Sequence, residues 1–393
     1  MKIVHIAPSA PYNDYWGYQE NLLPKYQKKL GHEVVIITTN LIHKDSTIVE
    51  IEPSDYTLND GIRVIRLKPK RYSKFRFLSR KLDRKLEVFD LLKEIKPGFI
   101  FYHGLVSSTI NDVVKYKKEE GNNCVIVQDN HLDYNIGATN DSIKGRIKNW
   151  FYRRMNKKTL PYVEKVYGVT PWRKQYAKEI YNVPKEKLDV LIMGADDEKI
   201  KFSQKSQIRN EIRKKYNVLD NEFLIVTGGK IDEKKNIHLL IEACKTIKKV
   251  KLLVFGSIEN DIKSVIEKTL NEEFLIYVGW IPSDAVYDYF FAADLVVFPG
   301  QHSILWEQAC ASKVPCLFKK WEGMDHVDNG GNSEFVSPVT VQTLRDKIEE
   351  LLFSEKYYDM REKALSNMTD IYLYSNIAKK SLECVEKNQG GSL

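Results

Sequence analysis

Short runs of β-branched and aromatic residues alternate with longer amphipathic segments along most of the chain. The runs have the length of buried strands, and the segments between them have the length of helices. We predict strands at Lys2–Ala7, Glu33–Thr38, Arg63–Leu67, Phe99–His103, Cys124–Gln128, Lys165–Val169, Asp189–Ile192, Phe223–Thr227, Lys251–Phe255, Phe274–Val278, Leu295–Phe298 and Val314–Phe318. Strands that alternate with helices in this way predict parallel sheets with helices packed on both faces.

The strand series falls into two groups, which predicts two domains. The alternation of predicted strands and helices stops between Met193 and Ser206 and then resumes. In addition, a chain of 393 residues is longer than one ordinary hydrophobic core supports. We therefore predict an α/β protein of two doubly wound, Rossmann-like domains facing each other across a cleft. The first covers residues 1–193, a linker covers 194–206, and the second begins at 207. Ligands of such sheets bind beyond the carboxyl ends of the strands.

Composition narrows the class of protein. Hydrophobic residues make up 43% of the chain, which is enough for two packed cores. The opening MKIVHIA has neither the basic region nor the long apolar region of a signal peptide, and no window approaches the length of about 18 apolar residues that a membrane span needs. The five cysteines are scattered and lack metal-ligand spacing. We therefore predict a cytoplasmic protein with reduced thiols.

Positive charge is concentrated in two segments. The net charge is +8, yet residues 62–85 hold eleven Lys/Arg and one acid, and residues 144–158 hold seven Lys/Arg and no acid. On a helix, Ile147, Phe151 and Met155 would share one side with cations on its flanks, the pattern of a helix lying on an anionic membrane surface. Two alternatives stay open: an apolar stripe that packs on its own domain, and a nucleic-acid surface, although no known nucleic-acid-binding motif organises the charge.

The loop after the first predicted strand leads into a helix that we predict to begin near Gly17. A glycine at this position lets a phosphate or sugar approach the backbone at a helix N-terminus, where unpaired N–H groups favour anions. A glycine at a helix start is also common as a plain turn residue. Gly17 is therefore a candidate ligand contact, with the turn as its alternative.

The segment FLIVTGGKIDEKKNIHLLIEA carries the strongest local signal. A strand ends at Thr227, two glycines follow, and a helix is predicted from about Asn236. Lys230 and Lys235 flank the short loop between them, where two cations could stabilise a diphosphate leaving group. The alternative is that Lys234 and Lys235 are ordinary exposed lysines at the start of a helix.

A second signal lies in LVVFPGQHSILWEQACASKVPCLF, which we interpret as strand, glycine-containing loop, short helix and strand. Glu307 falls near the start of the predicted helix. Backbone N–H groups there could hold phosphate, while the carboxylate accepts hydrogen bonds from ribose hydroxyls. An acidic residue in a first helical turn is also common for electrostatic reasons alone.

Both segments, together with GHEVVIITT and LDVLIMGAD, resemble the family 4 glycosyltransferases of GT-B fold over essentially the whole chain. The resemblance implies that Gly229, Lys230 and Lys235 bind the donor diphosphate and that Glu307 contacts its ribose. It also implies that residues 207–368 bind the nucleotide sugar, that residues 1–193 form the acceptor side, and that residues 369–393 form a helix crossing back to the first domain.

One part of the family pattern is missing. The family has a second glutamate eight residues before the position of Glu307, and this sequence has Pro299 there in a loop that is shorter than usual. His302, Ser303 and Ile304 occupy the space of the donor-sugar contacts and phosphate-binding amides, so we take them as donor-binding candidates. The departure affects sugar recognition more than nucleotide binding.

The family also has a histidine after an N-domain strand, over the reacting centre. VIVQDNHLDYN supplies the match, so His131 is the catalytic candidate, with Asp129 and Asp133 available to fix its tautomer. His103, after the preceding strand, is a second candidate. Without the resemblance, either histidine is more often a structural strand-end residue.

The resemblance implies transfer of a sugar, with retention of configuration, from a nucleoside diphosphate sugar of UDP or GDP type to a glycan or polyprenyl-linked acceptor. No metal or other cofactor is expected, since lysines would neutralise the leaving diphosphate. Capsule, O-antigen or lipopolysaccharide assembly is the expected setting, in the cytoplasm and in peripheral contact with the inner membrane face. The alternatives are a GT-B epimerase, a non-catalytic nucleotide-sugar-binding protein and a nucleic-acid-binding protein.

Overall fold

The computed structural model of the protein describes residues 1–44, 47–71, 84–121 and 123–389. The chain forms two compact units, residues 1–192 together with 377–393, and residues 193–376. We predicted a boundary after residue 193 followed by a linker over 194–206, and the structure includes those linker residues in the second unit.

An eight-stranded sheet forms the centre of the first unit. Its strands are β1 (Lys2–Ala7), β2 (Glu33–Thr39), β5 (Ser54–Thr57), β6 (Arg63–Leu67), β9 (Phe99–Tyr102), β10 (Val125–Asn130), β11 (Lys165–Gly168) and β12 (Leu188–Val190). Their order is β12-β11-β10-β9-β1-β2-β6-β5, and every neighbouring pair is parallel except the edge pair β5–β6. Two separate antiparallel hairpins pair β3 (Leu41–Lys44) with β4 (Thr47–Glu50) and β7 (Lys70–Arg71) with β8 (Arg84–Lys85).

A six-stranded sheet, parallel throughout, forms the centre of the second unit. Its strands are β13 (Phe223–Gly228), β14 (Val250–Phe255), β15 (Leu275–Gly279), β16 (Leu295–Phe298), β17 (Cys316–Lys319) and β18 (Ser333–Val336). Their order is β15-β14-β13-β16-β17-β18. β13 is buried along its whole length, as expected for a strand covered by helices on both faces.

Helices connect the strands in both units. They are α1 (Gln19–Lys29), α2 (Phe89–Ile95), α3 (Ile110–Glu119), α4 (Ile143–Thr159), α5 (Pro171–Tyr181), α6 (Lys205–Lys215), α7 (Ile237–Cys244), α8 (Lys263–Glu267), α9 (Val286–Ala292), α10 (Leu305–Ala311), α11 (Val341–Leu351), α12 (Glu355–Leu365) and α13 (Tyr374–Gln389). Several begin at a side-chain cap that satisfies an otherwise unpaired backbone N–H group. The Ser142 hydroxyl accepts from Gly145 N at the start of α4, and the Thr170 hydroxyl accepts from Arg173 N at the start of α5.

All twelve predicted strands are present, with each end within two residues of its predicted position. The two predicted Rossmann-like sheets are therefore confirmed. The pattern missed β5 and β18 because their segments, SDYT and SEFV, lack a continuous apolar run. Each sheet reverses its strand order beside one central strand: β1 lies between β2 and β9, and β13 lies between β14 and β16. Ligands bind open α/β sheets at such points.

Candidate active site

A small cavity of about 130 Å³ lies at the carboxyl ends of β1, β9 and β10 in the first unit. Ser9 follows β1, His103 follows β9, and His131 follows β10, while Glu20 projects from the first turn of α1. The cavity is therefore at the reversal point of the sheet and contains both histidines that the sequence singled out.

Asp129, at the end of β10, joins these two histidines. Its carboxylate is completely buried and accepts three hydrogen bonds. Oδ2 accepts from His103 Nδ1 at 2.8 Å and lies 3.2 Å from His131 Nε2, and Oδ1 accepts from Gly104 N at 2.7 Å. Burial by itself would raise the pKa of Asp129, but His131 and His103 hold it well below its ordinary value. Asp129 is therefore ionised and orients both histidines.

The hydrogen-bonded chain continues from His103 into the interior. His103 Nε2 lies 3.1 Å from His5 Nδ1, and His5 Nε2 lies 2.7 Å from Gln27 Oε1. Gln27 Nε2 donates to the hydroxyl of Ser381 on α13. Burial lowers the pKa of His5 to about 3, so His5 is neutral. His5 and Gln27 had no distinguishing sequence signal, since each sits in an ordinary strand or helix pattern.

Asp133, the other acid that we expected beside His131, has a different role. One of its carboxylate oxygens accepts from the backbone N–H groups of Asn135 and Ile136, and the other lies 3.3 Å from Arg173 Nε. Asp133 therefore shapes the turn after β10, and Asp129 alone of the two contacts His131.

In the second unit, hydrogen bonds join the loop after β13 to the loop after β16. Lys235 Nζ donates to the carbonyl of Gln301 at 2.7 Å, and Gln301 N donates to the carbonyl of Lys234. Asn236 Nδ2 donates to the carbonyl of Pro299 at 3.0 Å. Burial lowers the pKa of Lys235. Lys230 is not held in this junction. Its side chain is 62% exposed, and its Nζ lies 3.4 Å from a carboxylate oxygen of Glu259.

Two glycines make this junction possible. Gly229 has φ +108°, a conformation that side chains rarely adopt, and a Cβ on Gly300 would lie 2.2 Å from Lys235 Cα. The loop after β16 can therefore approach the loop after β13 only with a glycine at position 300.

This close approach predicts a contrast between two glycine substitutions. Gly300→Ala should destabilise the protein by about 1–3 kcal/mol, because the two loops must separate. Gly17→Ala should change stability by less than about 0.5 kcal/mol, because a Cβ on Gly17 meets nothing within 4 Å. Urea unfolding of both variants checks the difference. Equal stabilities would contradict the packing described here, and weaker ligand binding by a fully stable Gly17→Ala protein would support Gly17 as a contact residue.

Glu307 is the most completely enclosed charge in the second unit's site. It lies in the first turn of α10 with no exposed surface. Its Oε1 accepts from His302 Nε2 and His326 Nε2, both at 2.8 Å, while Oε2 has no hydrogen-bond partner. Burial by itself would raise the pKa of Glu307, but the two histidines lower it to about 2. The group is therefore a fixed carboxylate with one oxygen held by two histidines and the other buried without a hydrogen-bond partner.

The other residues of this loop are placed around Glu307. The side chain of His302 is 6% exposed and directs Nε2 to Glu307, so it supports the carboxylate. Ser303 accepts from Trp306 N through its carbonyl, and Ile304 is the residue before α10. His326 was missed by the sequence interpretation. It comes from a short 3₁₀ turn (Asp325–Val327) 19 residues after Glu307, and nothing in its local pattern distinguishes it.

Two clusters bring possible metal-ligating atoms together, but hydrogen bonds within the protein already engage several of those atoms. The ligand atoms of Glu20, His103 and His131 lie within 4.8 Å of one another, but both ring nitrogens of His103 are engaged in hydrogen bonds. In the cluster around Glu307, both histidines direct Nε2 to its Oε1. We assign neither cluster to a metal.

Half of the first basic segment, 62–85, lies outside the described residues, and the second basic segment forms most of α4. Ile143, Ile147 and Trp150 are more than half exposed, and Phe151 is 39% exposed. The alternative that this stripe packs on its own domain is therefore wrong for Ile147 and Phe151 but holds for Met155, which packs against the core. Over the described part of the chain, the helices are too short or too polar to cross a bilayer.

Comparison with known proteins agrees with this architecture. A glycosyltransferase from Rickettsia africae matches 98% of this chain and 98% of its own with a TM-score of 0.71 at 17% identity. HepE of Anabaena, solved in complex with UDP, covers 98% of this chain and 100% of its own with a TM-score of 0.68 at 13% identity. These likenesses establish the GT-B fold.

The match to a protein family lies in the second unit. Residues 208–367 match the model described as glycosyl transferases group 1. The capsular polysaccharide biosynthesis glycosyltransferase CapM of Staphylococcus aureus is 30% identical over 195 residues, which is 44% of this chain and 48% of CapM. Alignments to the curated relatives span between 28% and 56% of their lengths.

Proposed function

We propose that the protein is a glycosyltransferase that moves a sugar from a nucleoside diphosphate sugar to a glycan or lipid-linked glycan in cell-surface polysaccharide assembly. The observation that carries the proposal is Glu307, an ionised carboxylate with a free oxygen beside the loops after β13 and β16. A buried carboxylate acceptor suits two hydroxyls of a ribose. HepE, which shares this fold, binds UDP, and the name of CapM places it in capsule synthesis.

The second unit is proposed to hold the donor. Glu307 accepts from the ribose, while Lys235, Lys230 and the backbone near Gly229, Ser303 and Ile304 contact the diphosphate. Lys235 is already positioned by its bond to Gln301, so little side-chain entropy remains to be lost when the phosphate binds. Lys230 is exposed and paired with Glu259, and it would exchange that ion pair for a phosphate.

The first unit is proposed to hold the acceptor. The reaction breaks the bond between the sugar's anomeric carbon and the diphosphate oxygen, and it forms a bond from the acceptor oxygen on the same face. The acceptor proton passes to the leaving diphosphate, so no protein nucleophile is needed. His131, held by Asp129 at the cavity, is the group proposed to contact the reacting hydroxyls.

A thermal-shift screen with nucleotides and nucleotide sugars tests the donor class. One nucleoside diphosphate should raise the unfolding temperature in a concentration-dependent way, since a ligand that binds only the folded state stabilises it. The nucleotide sugar found should then transfer label to a membrane extract. Turnover without any acceptor would indicate an epimerase instead, and the absence of stabilisation by every nucleoside diphosphate would contradict the proposal.

We also propose that α4 lies against an anionic membrane surface, where a lipid-linked acceptor would be found. The exposed side chains of Ile143, Ile147 and Trp150 would enter the interface, and the cations of the same helix would contact lipid phosphates. The neighbouring groove, of about 480 Å³, is lined by Trp150, Arg154, Lys157 and other residues of α4 and the segment after α5.

Charge reversal on α4 tests this surface. Each cation near an anionic membrane contributes about 1 kcal/mol, so the double variant Lys144→Glu/Arg154→Glu should bind anionic vesicles at least about 10-fold more weakly than the wild type. The control Lys214→Glu/Lys215→Glu changes the net charge equally on α6 and should bind as the wild type does. Equal binding to neutral and anionic vesicles in co-sedimentation would contradict the electrostatic contact.

A further inference from the structure

A buried polar chain in the first unit extends beyond the residues that the proposed function uses. It runs from Asp129 through His103, His5 and Gln27 to Ser381 on α13, with successive polar atoms 2.7–3.1 Å apart. Each of these residues is buried. Because every link is a directional hydrogen bond, the proton on each nitrogen can be deduced from one end of the chain.

The deduction starts at Ser381. Its hydroxyl donates to the carbonyl of Ala378 at 2.6 Å, one turn earlier in α13. The Ser381 oxygen is therefore left to accept from Gln27 Nε2, which turns Gln27 Oε1 toward His5. His5 is neutral and carries a single ring proton, which must lie on Nε2 in order to donate to that oxygen. Its Nδ1 is then bare and can only accept a hydrogen bond.

His103 is consequently a donor through both ring nitrogens. Its Nε2 donates to the bare Nδ1 of His5, and its Nδ1 donates to the ionised carboxylate of Asp129. A histidine with protons on both nitrogens is an imidazolium. We propose that His103 is a positioning residue held as the buried cation that balances Asp129, and that it thereby sets the protonation of His131 for the reaction.

The consequence for His131 follows from the charges around it. Asp129 and Glu20 favour the charged form of His131, while burial and Arg173 oppose it, and the net effect raises the pKa of His131. A positive charge on His103, which contacts the same Asp129 carboxylate, limits that rise in the pKa of His131. His131 can then donate Nε2–H to Asp129 and keep Nδ1 bare, so that it accepts a hydrogen bond from a substrate hydroxyl.

The protonation of His103 can be measured directly on the unliganded wild-type protein. Nitrogen-15 NMR of histidine-labelled protein distinguishes protonated from bare ring nitrogens, and His103→Asn identifies the His103 signals by their loss. Two protonated nitrogens on His103 at neutral pH are expected. One bare nitrogen would mean that Gln27 has the reverse orientation and His103 is neutral, which would overturn the proposal.

The effect on His131 is tested with the same variant. Asn can keep a donor near Asp129 but carries no charge, so the titration midpoint of His131 should rise by about one pH unit in His103→Asn. The control His32→Asn, outside the network, should leave that midpoint unchanged. An unchanged midpoint in a folded His103→Asn protein would overturn the proposal, and if this variant does not fold, His103→Gln takes its place in both measurements.

The protonation inferred for His103 is independent of the proposed function. Only the role given to the network, which is to set the protonation of His131 for sugar transfer, rests on the proposed function. Both NMR measurements are made without substrate, so their outcome is independent of whether the chain transfers a sugar. A failed transfer assay with a doubly protonated His103 would contradict the function alone. Successful transfer with a neutral His103 would contradict the inference alone.

Discussion

Glu307→Gln should weaken nucleotide binding by about 10–100-fold and leave the fold intact. A hydrogen bond to a charged group contributes about 1.5–3 kcal/mol, which corresponds to that range of affinity. Glutamine keeps the shape of the side chain and can still accept from His302 and His326, so the change removes the charge offered to the ribose. Calorimetry with the nucleotide identified by the thermal-shift screen measures the loss.

The control for this prediction is Glu349→Gln. Glu349 is an exposed residue of α11, so the same chemical change there should leave affinity unchanged. Normal nucleotide binding by Glu307→Gln and by Glu307→Ala would contradict the ribose role.

The pH dependence of Glu307 gives a second check on its environment. Its pKa in the folded protein, about 2, lies below the value of 4.5 for an unperturbed glutamate. Its contribution to stability is therefore complete above the unfolded value and is lost as the pH falls from 4.5 toward about 2. Because Glu307 stays ionised at neutral pH, its titration should cause no change in nucleotide affinity in that pH range.

His131→Gln should lower kcat by about 100-fold or more and leave nucleotide affinity unchanged. Loss of one preorganised hydrogen bond to the reacting groups typically costs a factor of that size. Glutamine can keep an N–H donor toward Asp129 but has no basic nitrogen, so the variant separates the chemistry of the ring from its packing. Initial rates of sugar transfer at saturating donor, together with nucleotide affinity by calorimetry, measure the two effects.

His32→Gln is the matched control, since it changes a histidine of the same unit outside the network. Its transfer rate should equal that of the wild type. A full transfer rate in His131→Gln would show that the residue after β10 is structural, and a parallel loss of nucleotide affinity would show that the variant disturbs more than the reacting centre.

Sequence patterns predicted the strands well because their signal is local. Central parallel strands such as β1 and β13 are covered on both faces, so each is a largely apolar run. The elements that were missed lack this signal: β5 and β18 are short strands, and the hairpin strands β3 and β4 are partly or fully exposed. Such strands form because a neighbouring strand offers unpaired backbone groups.

The site residues also differ in whether a local sequence signal could identify them. Lys235 and Glu307 could be found because each follows a strand at a fixed distance in one continuous segment. His326, His5 and Gln27 could not, because their partners are 19 or more residues away and their own surroundings are unremarkable in sequence. The contact between His302 and Glu307 is likewise visible only in the structure, and the donor-binding role of His302 stays a prediction.

The sequence by itself determined the class of fold, the two sheets and the strand ends at which Lys235, Glu307 and His131 lie. Hydrophobic periodicity and loop position are local properties, and they suffice for that much. Only the tertiary structure determined which ionisable groups are in contact with one another. It joined His103 and His131 through Asp129, and it placed His302 and His326 on one oxygen of Glu307. The reason is that the protonation of a buried group depends on the partners that enclose it in space, and these come from separate strands and loops.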